Sequence, residues 1–412
     1  MSVLLELNDW QLSCFDSNAN CFYQQAAAAV ADDGGLVFGN AALAQSRSKP
    51  QSFNGQYLSR LNTESLPQPI GPAHNNADLV YHQLQDLRQQ HSVSEVAVAA
   101  PAHYSDEQLG LLLGIASEAG IAIKGFVDSA LAHGVANNGR YQLLDIGMNY
   151  AYLSDIEALD GELRVVGSTT IERLGMINII DAWLQVIANS FMQSSRFDPL
   201  HSAASEQQVF DQAFRWISSG VPNDPSVTVT LDGTTRQADV TPTQLSEAIR
   251  QRMPTGELNN AEHLVLTPRA NSISSLQSLL SDFTETISTS PGDVMTLLQL
   301  QQQQNAAEPT RITEFRGTTS AVRQPSSPAG HTDQAETKSD EQSYPPATHL
   351  LADHQAIPLT AETLQFFFDE DGLLRPGADV RVNGSAPTRA KLRCADQVQL
   401  LDQTWVAIRI AN

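Results

Sequence analysis

Two residues at the end of an apolar strand have the chemistry of a metal-binding loop. Asp145 follows the segment Tyr-Gln-Leu-Leu, and Gly147 stands two residues later. A carboxylate at such a strand end can hold a hydrated Mg²⁺ ion or orient an attacking water molecule, and a glycine lets a ligand approach the backbone closely. An Asp-x-Gly sequence is short, so the prediction depends on the elements around it.

Strands and helices alternate in the segment before Asp145. Apolar runs predict strands at residues 96–100 and 121–126. A helix is predicted between them, at 105–119, because Ser105 is a good N-cap and a stripe of leucines follows it. Alternation at this spacing predicts an α/β fold with a mainly parallel sheet, whose ligands bind beyond the carboxyl ends of its strands.

Two long segments resemble the nucleotide-binding domain of Hsp70 proteins. They are AVAAPAHYSDEQLGLLLGIASEAGIAIKGFVDSALAHGVA, residues 97–136, and LVFGNAALAQSRSKPQSFNGQYLSRL, residues 36–61. Weaker matches follow in the family's order, so that the resemblance covers residues 4–304. It implies the two-lobed, actin-like ATPase fold (ribonuclease H-like) that Hsp70 shares with actin and the sugar kinases. This domain would span residues 1–305, with a helical and hairpin subdomain at 190–255.

The resemblance places Glu6 and Asp145 at the family's phosphate and metal positions. Glu6 stands where the first phosphate turn has an aspartate, and Asn8 replaces the glycine of that turn. Asp145 and Gly147 stand in the second phosphate loop, where Asn149 replaces one of the family's glycine or hydroxyl residues. The resemblance therefore implies catalytic roles for Asp145 and Glu6, which would also hold Mg²⁺, and phosphate contacts from Asn8, Gly147 and Asn149.

Four further residues are assigned by the same resemblance. Asp128 falls near the acidic residue that positions water and the metal; the alternative is a helix N-cap for residues 129–135. Gly175 matches the first glycine of a Leu-Gly-Gly motif, where it permits close chain packing and secondarily contacts a ligand. Thr267 stands in the place of a glycine pair that lies against adenosine, and Arg269 is placed to stack on adenine.

The family's pattern fails where the phosphates and adenosine would lie. Asp9 would repel a phosphate, Asn8 adds a side chain where backbone amides must approach, and Pro268 removes an amide beside the nucleobase. The lysine that Hsp70 proteins use near the phosphates has no counterpart between residues 62 and 90. The apolar strands persist, so the departures concern ligand binding rather than the fold.

These departures favour a divergent Hsp70-family protein with weak or absent ATPase activity, acting as a protein-binding or scaffolding module. ATP or ADP with Mg²⁺ stays a candidate ligand. One alternative is an active Mg-ATP-dependent, chaperone-type ATPase in which Asp145, Glu6 and Asp128 hold Mg²⁺ and water. Another is a filament former of the actin type. The C-terminal tail is too short for the Hsp70 peptide-binding domain and lid, so the usual foldase activity is expected to be absent.

Composition restricts the class of partner. The chain of 412 residues carries a net charge of −22, which argues against nucleic-acid binding because phosphates are neutralised by basic faces. Neither a signal peptide nor a run of ~20 apolar residues is found in the sequence. The three cysteines lack metal-ligand spacing and predict reduced thiols; they are Cys14, Cys21 and Cys394. We expect a cytoplasmic protein without a membrane span, whose partners are proteins.

The C-terminal part has a different composition. Residues 306–346 are rich in Gln, Ser, Thr and Pro and predict a disordered linker. Residues 347–412 predict short strands and a small β-sandwich domain. The run VRVNGSAPTRAKLRCADQVQLLDQTWVAIRI is similar to the second half of forkhead-associated domains, although the arginine and the Ser-x-x-His motif that bind phosphothreonine have no match. This resemblance implies a protein partner for the β domain.

Overall fold

A computed structural model describes most of the first 253 residues and shorter parts of the rest. The described residues are 3–17, 20–133, 139–159, 162–253, 263–280, 285–288, 311–316, 347–352, 355–359, 368, 373–374, 380–382, 391–392, 397–400 and 403–408. The chain divides into two compact units, residues 1–328 and 329–412. None of the described helices is long and apolar enough to cross a membrane.

The first unit contains both strands and helices. Its described strands are β1 (Leu4–Glu6), β2 (Leu12–Phe15), β3 (Cys21–Gln25), β4 (Ala29–Asp32), β5 (Gly35–Phe38), β6 (Phe53–Asn54), β7 (Ser65–Ile70), β8 (Ala73–Asn75), β9 (Glu95–Ala100), β10 (Ala122–Asp128), β11 (Gly139–Ile146), β12 (Ala151–Leu159), β13 (Glu162–Ile171), β14 (Ser226–Leu231), β15 (Thr234–Asp239), β16 (His263–Leu266), β17 (Glu285–Ser288), β18 (Arg311–Ile312) and β19 (Glu314–Arg316). Its described helices are α1 (Asn40–Leu43), α2 (Asn76–His91), α3 (Asp106–Glu118), α4 (Ser129–Ala132), α5 (Met176–Ser195), α6 (Ala203–Ser219), α7 (Pro242–Arg250), α8 (Pro268–Ser272) and α9 (Ser274–Leu280).

One six-stranded sheet has the order β18-β10-β9-β1-β2-β3. The strands from β18 to β1 are parallel, and β2 and β3 add to them in antiparallel fashion. β9 is buried after its first residue, as expected of a strand covered on both faces. α3 begins at a capping box in which Ser105 and Gln108 satisfy each other's backbone amides. The predicted helix and the strands on either side of it are confirmed.

A second six-stranded sheet has the order β17-β16-β11-β12-β13-β19. β11, β12, β13 and β19 are antiparallel, whereas β16 and β17 are parallel to β11. The prediction of a mainly parallel sheet is therefore correct for the first sheet and wrong for the second. Antiparallel strands can be joined by short turns, and the described residues between 139 and 171 form three strands with no helix among them.

The two sheets pack against each other through a shared apolar cluster. The cluster takes residues such as Leu4 and Ala99 from the first sheet and Leu143 and Val265 from the second. A separate cluster joins α2 and α3 to β1 and β9. The largest cluster packs α5, α6, α7 and α9 around the second sheet, with Trp183 fully buried. The ends of β1, β11 and β16 are thus held rigidly near one another.

Residues 196–253 form the helices and hairpin that the sequence predicts. β14 and β15 pair across Asp232 and Gly233, whose φ angles of 49° and 74° are those of a type I′ turn. Thr241 caps α7 through a capping box with Gln244. Each of these features depends on a few neighbouring residues, so a short sequence is sufficient to specify it.

Residues 311–316 lie inside the segment whose composition predicts a disordered linker, but they form two strands. β18 extends the first sheet and β19 extends the second. The buried Ile312 supplies the apolar contact that the surrounding polar sequence lacks. The rest of the predicted linker lies outside the described residues.

The second unit contains a five-stranded antiparallel sheet. Its strands are β20 (His349–Ala352), β21 (Gln355–Pro358), β22 (Val380–Val382), β23 (Gln397–Leu400) and β24 (Gln403–Ile408). They pair in the order β21-β20-β24-β23-β22, and a small apolar core that includes Leu350, Phe368 and Val398 lies against them. The prediction of short strands in this part of the chain is confirmed for these residues.

Candidate functional site

The strand ends bring together most of the residues that the sequence analysis selected. Glu6 ends β1, Asp145 lies at the end of β11, and Thr267 is the N-cap of α8, which follows β16. Six buried residues meet here and are called the arginine cluster: Glu6, Asn8, His133, Asp145, Thr267 and Arg269. The cluster joins the two sheets, because Glu6 belongs to the first and Asp145 to the second.

Arg269 lies between the two carboxylates. Its Nη1 and Nη2 donate to Oε2 and Oε1 of Glu6 at 2.9 and 2.6 Å. Its Nε and Nη2 donate to Oδ1 and Oδ2 of Asp145 at 3.0 and 2.8 Å. Only 4% of the Arg269 surface and 2% of the Glu6 surface are exposed. Two-pronged guanidinium–carboxylate contacts of this kind are among the strongest polar contacts in proteins.

Asp145 has further hydrogen-bond donors around it. The Thr267 hydroxyl donates to Oδ1 at 2.6 Å, and the Asn8 amide donates to Oδ2 at 3.0 Å. The backbone N–H of Ile146 also donates to Oδ1. Together with the guanidinium, these donors occupy both oxygens of the carboxylate. A Mg²⁺ ion needs oxygen ligands that are free to coordinate it, so the residues present do not fit a metal ion in this arrangement.

The charges of the cluster stabilise each other. Burial alone would raise the pKa of Glu6, but the positive charge of Arg269 and the contact with His133 outweigh it and hold the pKa well below its usual range. Burial alone would lower the pKa of Arg269, but Asp145 and Glu6 raise it above its usual range. Glu6 and Arg269 are therefore ionised together at neutral pH.

His133 joins the cluster at its Glu6 side, and the sequence analysis missed it. Its Nε2 lies in hydrogen-bond contact with Oε1 of Glu6, and its Nδ1 is buried without a hydrogen-bond partner. His133 directly follows the short helix α4. The only sequence signal was its place just after the segment 126–132, within the Hsp70-like stretch, and that signal does not indicate a contact with Glu6.

Asp9 fills the space beside Gly147. Its Oδ1 accepts a hydrogen bond from the Met148 N–H at 2.6 Å, and its Oδ2 accepts one from the Asn149 side chain at 2.8 Å. A Cβ atom at Gly147 would overlap with Oδ1 of Asp9, so the glycine is required for this approach. Burial outweighs these hydrogen bonds and raises the pKa of Asp9. A carboxylate of the chain itself thus occupies the loop that the sequence analysis assigned to phosphates.

The start of α5 is also in contact with this loop. The N–H groups of Met176 and Ile177 donate to the carbonyl oxygens of Gly147 and Met148 at 2.9 Å each. Free N–H groups at a helix start are a ready anion site, but these two already have acceptors. A Cβ atom at Gly175 would overlap with the backbone of Asn149, which agrees with the close chain packing expected for this glycine.

Asp128 lies apart from the arginine cluster. Its Oδ1 accepts the Ala130 N–H at 3.0 Å, so it is the N-cap of α4. Its Oδ2 accepts a hydrogen bond from Arg311 at 2.9 Å. Burial raises the pKa of Asp128 above its usual value. No hydrogen bond among the described residues connects Asp128 to Asp145; its two oxygens are used by the cap of α4 and by the ion pair with Arg311.

An aromatic pair makes another contact between the sheets. His103, which follows β9, stacks on Tyr152 of β12 with 4.9 Å between ring centroids and 3° between ring planes. Tyr152 also lies close to Gly147. Burial, followed by the positive charge of Arg311, lowers the pKa of His103 to about 4, so its ring is neutral at neutral pH. No motif or spacing in the sequence predicts this pair.

Comparison with known proteins assigns no family to this chain, so its function has to be inferred from the geometry of the site. Neither the scan against protein-family models nor the search of curated proteins found a match to this chain. The cluster can hold two sheets together and can compete with a bound ion. It has no free carboxylate oxygen between Glu6 and Asp145 that could accept a proton or a metal without displacing Arg269.

Proposed function

We propose that this protein is a divergent Hsp70-type module, with the two-lobed actin-like fold, that binds protein partners without using ATP. The observation that carries the proposal is the position of Arg269, whose guanidinium lies between Glu6 and Asp145. In the proposed fold these carboxylates would be the Mg²⁺ ligands. The arginine takes the place of the cation, and the lobes are held together by the chain's own charges.

The second support is the position of Asp9. In the proposed fold, the loop from Gly147 to Asn149 would hold the phosphates, and the Asp9 carboxylate accepts hydrogen bonds from that loop. A carboxyl group of the chain therefore stands where the phosphates of a nucleotide would stand. With both Asp9 and Arg269 in place, the cleft is filled by the chain's own hydrogen-bond acceptor and its own cation.

The energetic consequence is that a nucleotide must displace a buried ion pair before it can bind. Breaking a buried pair by removing one partner costs about 3–5 kcal/mol. Since ~1.4 kcal/mol corresponds to a tenfold change in affinity, such competition weakens Mg-ATP binding by about two to three orders of magnitude or more. A protein with this cleft is a poor ATPase and a stable scaffold.

The test is calorimetric titration of the folded protein with ATP and with ADP, each with Mg²⁺. We expect no binding to the wild type in the micromolar range. Micromolar binding that is lost in Asp145→Ala would contradict the proposal and favour the active, Mg-ATP-dependent alternative, in which case turnover should be measured next. Circular dichroism of both proteins shows whether the variant is folded.

We also assign partner binding to the C-terminal unit, as a small β-sandwich related to forkhead-associated domains. Support comes from the antiparallel order β21-β20-β24-β23-β22 and the apolar core beside it. Capture of partners by the full chain should be compared with capture by a chain that ends at residue 346. Equal capture by the two proteins would rule out this assignment and leave residues 1–346 as the partner-binding part.

A further inference from the structure

A groove lies between α2 and α3, and no residue of the arginine cluster lines it. It is open to solvent and has a volume of about 640 Å³, within the ~300–1,000 Å³ range of ligand pockets. Its lining residues are Ala77, Asp78 and Tyr81 from α2 and Gly110, Leu111, Gly114, Ile115 and Glu118 from α3. The groove is therefore apolar along its length and acidic at two places.

Gly110 and Gly114 form an open strip on α3. They are four residues apart, so they lie on the same helix face, and a Cβ atom at either would meet nothing within 4 Å. Each interior glycine destabilises a helix by about 0.5–1 kcal/mol relative to alanine. Among the described residues, no neighbouring atom lies so close to these glycines that a side chain would be excluded. A molecule that packs closely against the helix backbone from outside would explain why both positions lack a side chain.

Apolar side chains stand on both sides of the glycine strip. Leu111 is half-buried and Ile115 is buried, and Tyr81 of α2 is half-buried opposite them. The Tyr81 hydroxyl accepts a hydrogen bond from Gln85, which fixes the ring at the groove wall. The surface offered to an occupant is therefore a shallow apolar floor, and small residues at such a floor let two helix backbones approach each other.

The charges at the groove determine the charge of the occupant. Asp78 lies on the α2 side and Glu118 on the α3 side, and Glu118 forms no ion pair among the residues that the structure describes. Glu107 lies one turn before Gly110 on α3 and is exposed. Arg88 of α2 donates to the carbonyl of Ala119 at the end of α3, and neither Asp78 nor Glu118 has a Lys or Arg ion-pair partner among the described residues.

We propose that this groove binds an amphipathic helix of a partner protein. The apolar face of that helix lies over Gly110 and Gly114, and its Lys or Arg side chains reach Asp78 and Glu118. Helix-in-groove binding of this kind uses apolar anchors at helical spacing, with charges at the rim. The inference does not depend on the arginine cluster, because none of the residues that line the groove belongs to that cluster.

The test uses a labelled synthetic helix of Lys and Leu, about 15–18 residues long so that it can form a helix, and fluorescence polarisation with the full chain. We expect the wild type to bind it and Gly110→Leu/Gly114→Leu to bind at least about tenfold more weakly. Leucine is the better helix former, so thermal unfolding should show that this variant is at least as stable as the wild type. Failure of the variant to bind would then reflect the filled groove.

A second experiment tests the role of the acidic side chains by comparing two double variants that change the net charge by the same amount. Asp78→Asn/Glu118→Gln should weaken binding severalfold and reduce its salt dependence. Asp33→Asn/Glu172→Gln removes two exposed carboxylates elsewhere and should leave binding unchanged. Equal effects of the two variants, or undiminished binding by the leucine variant, would show non-specific attraction to an acidic protein and overturn the proposal.

Two other outcomes would also overturn it. Absence of binding by the wild type at concentrations of about 100 μM, where even a weak site is occupied, would show that the groove does not take a basic helix. Sedimentation of the wild type as a dimer that Gly110→Leu/Gly114→Leu abolishes would assign the groove to a second copy of the chain. Neither outcome changes the calorimetric result with nucleotide, so the proposed function is tested separately.

Discussion

Arg269 makes polar contacts with both buried carboxylates of the cluster, and each of those carboxylates depends on it. Glu6 is 2% exposed, so without the guanidinium its charge would be left in an apolar surrounding with His133 as its remaining polar contact. Uncompensated buried charge is among the most destabilising changes that a protein can undergo. The cluster is therefore a structural tie as well as an obstacle to ligands.

The first prediction concerns removal of the guanidinium. Arg269→Met keeps the length of the side chain but leaves Glu6 and Asp145 unpaired, and we expect the free energy of unfolding to fall by about 3–5 kcal/mol. Urea denaturation followed by circular dichroism measures the change. Lys49→Met is the control, because Lys49 forms only an exposed ion pair with Asp32, and we expect no measurable change for it.

A triple variant separates loss of charge balance from loss of packing. Glu6→Gln/Asp145→Asn/Arg269→Met replaces every charge of the ion pair by a neutral group of similar size. The triple variant leaves no uncompensated buried charge at these positions, and such a charge is the main cost of breaking a buried pair, so part of the stability lost in Arg269→Met should return. If the triple variant is as unstable as the single one, the guanidinium acts through its shape and not through its charge.

The next prediction is the pH dependence of the contribution from Glu6. Its pKa in the folded protein lies below the ordinary value of 4.5, so the unfolded chain binds the proton more readily. The stability that Glu6 provides is present above about pH 5 and is lost as the pH falls below 4.5 towards the folded pKa. The pKa values of Asp9 and Asp128 are raised, so their contributions to stability change with pH in the opposite direction.

Comparing the wild type with Glu6→Gln cancels the contributions of Asp9 and Asp128 to the pH dependence. Both proteins contain Asp9 and Asp128, so the difference between their free energies of unfolding measures the contribution of Glu6 to stability. We expect the gap to be largest near neutral pH and to shrink at about pH 3. A gap that stays constant between these pH values would show that Glu6 is not held ionised by Arg269.

At the scale of elements, the start of α5 is packed against the loop after β11. Gly175→Ala places a Cβ atom on the backbone of Asn149, and overpacking of this kind typically costs about 1–3 kcal/mol. We expect a lower unfolding midpoint in thermal denaturation. Gly110→Ala is the matched control, because its Cβ atom meets nothing within 4 Å and alanine favours the helix, so its midpoint should rise.

Elements whose signals are local could be predicted from the sequence. The capped start of α3 at Ser105 and the type I′ turn at Asp232 and Gly233 depend on residues within a few positions of each other. The strands β18 and β19 could not be predicted, because their short sequence forms strands only by pairing with β10 and β13. The polar composition around residues 311–316 carries no information about such distant pairing.

The contacts of the candidate site also join residues far apart in the chain, so the sequence predicts them only in part. Sequence order was enough to select Glu6, Asp145 and Arg269, but the roles assigned to them assumed a bound nucleotide. The resemblance places Thr267 against adenosine, whereas in the structure Thr267 caps α8 and donates to Asp145. The contact between Glu6 and His133 joins residues 127 positions apart, and only the packing of strand ends brings such residues together.

At the scale of the first unit, several independent contacts close the space between the two sheets. The arginine cluster, the Asp9 contacts and the stack of His103 on Tyr152 each join them, and an apolar cluster lies between them. In the proposed two-lobed fold, ligand-driven motion would require all these contacts to break together. We therefore expect the closed arrangement to persist without any ligand.

Hydrogen exchange of the backbone amides tests this expectation directly. The Met148 N–H donates to Asp9, and the Met176 and Ile177 N–H groups donate to carbonyls of the loop after β11. All three should therefore exchange slowly in the protein without nucleotide. Addition of Mg-ATP should leave their rates unchanged, because a cleft that is already closed gains no protection on binding. Arg269→Met should exchange faster at the same amides. Slow exchange that appears only with Mg-ATP would mean that the nucleotide closes the cleft, and the scaffold interpretation would then be wrong.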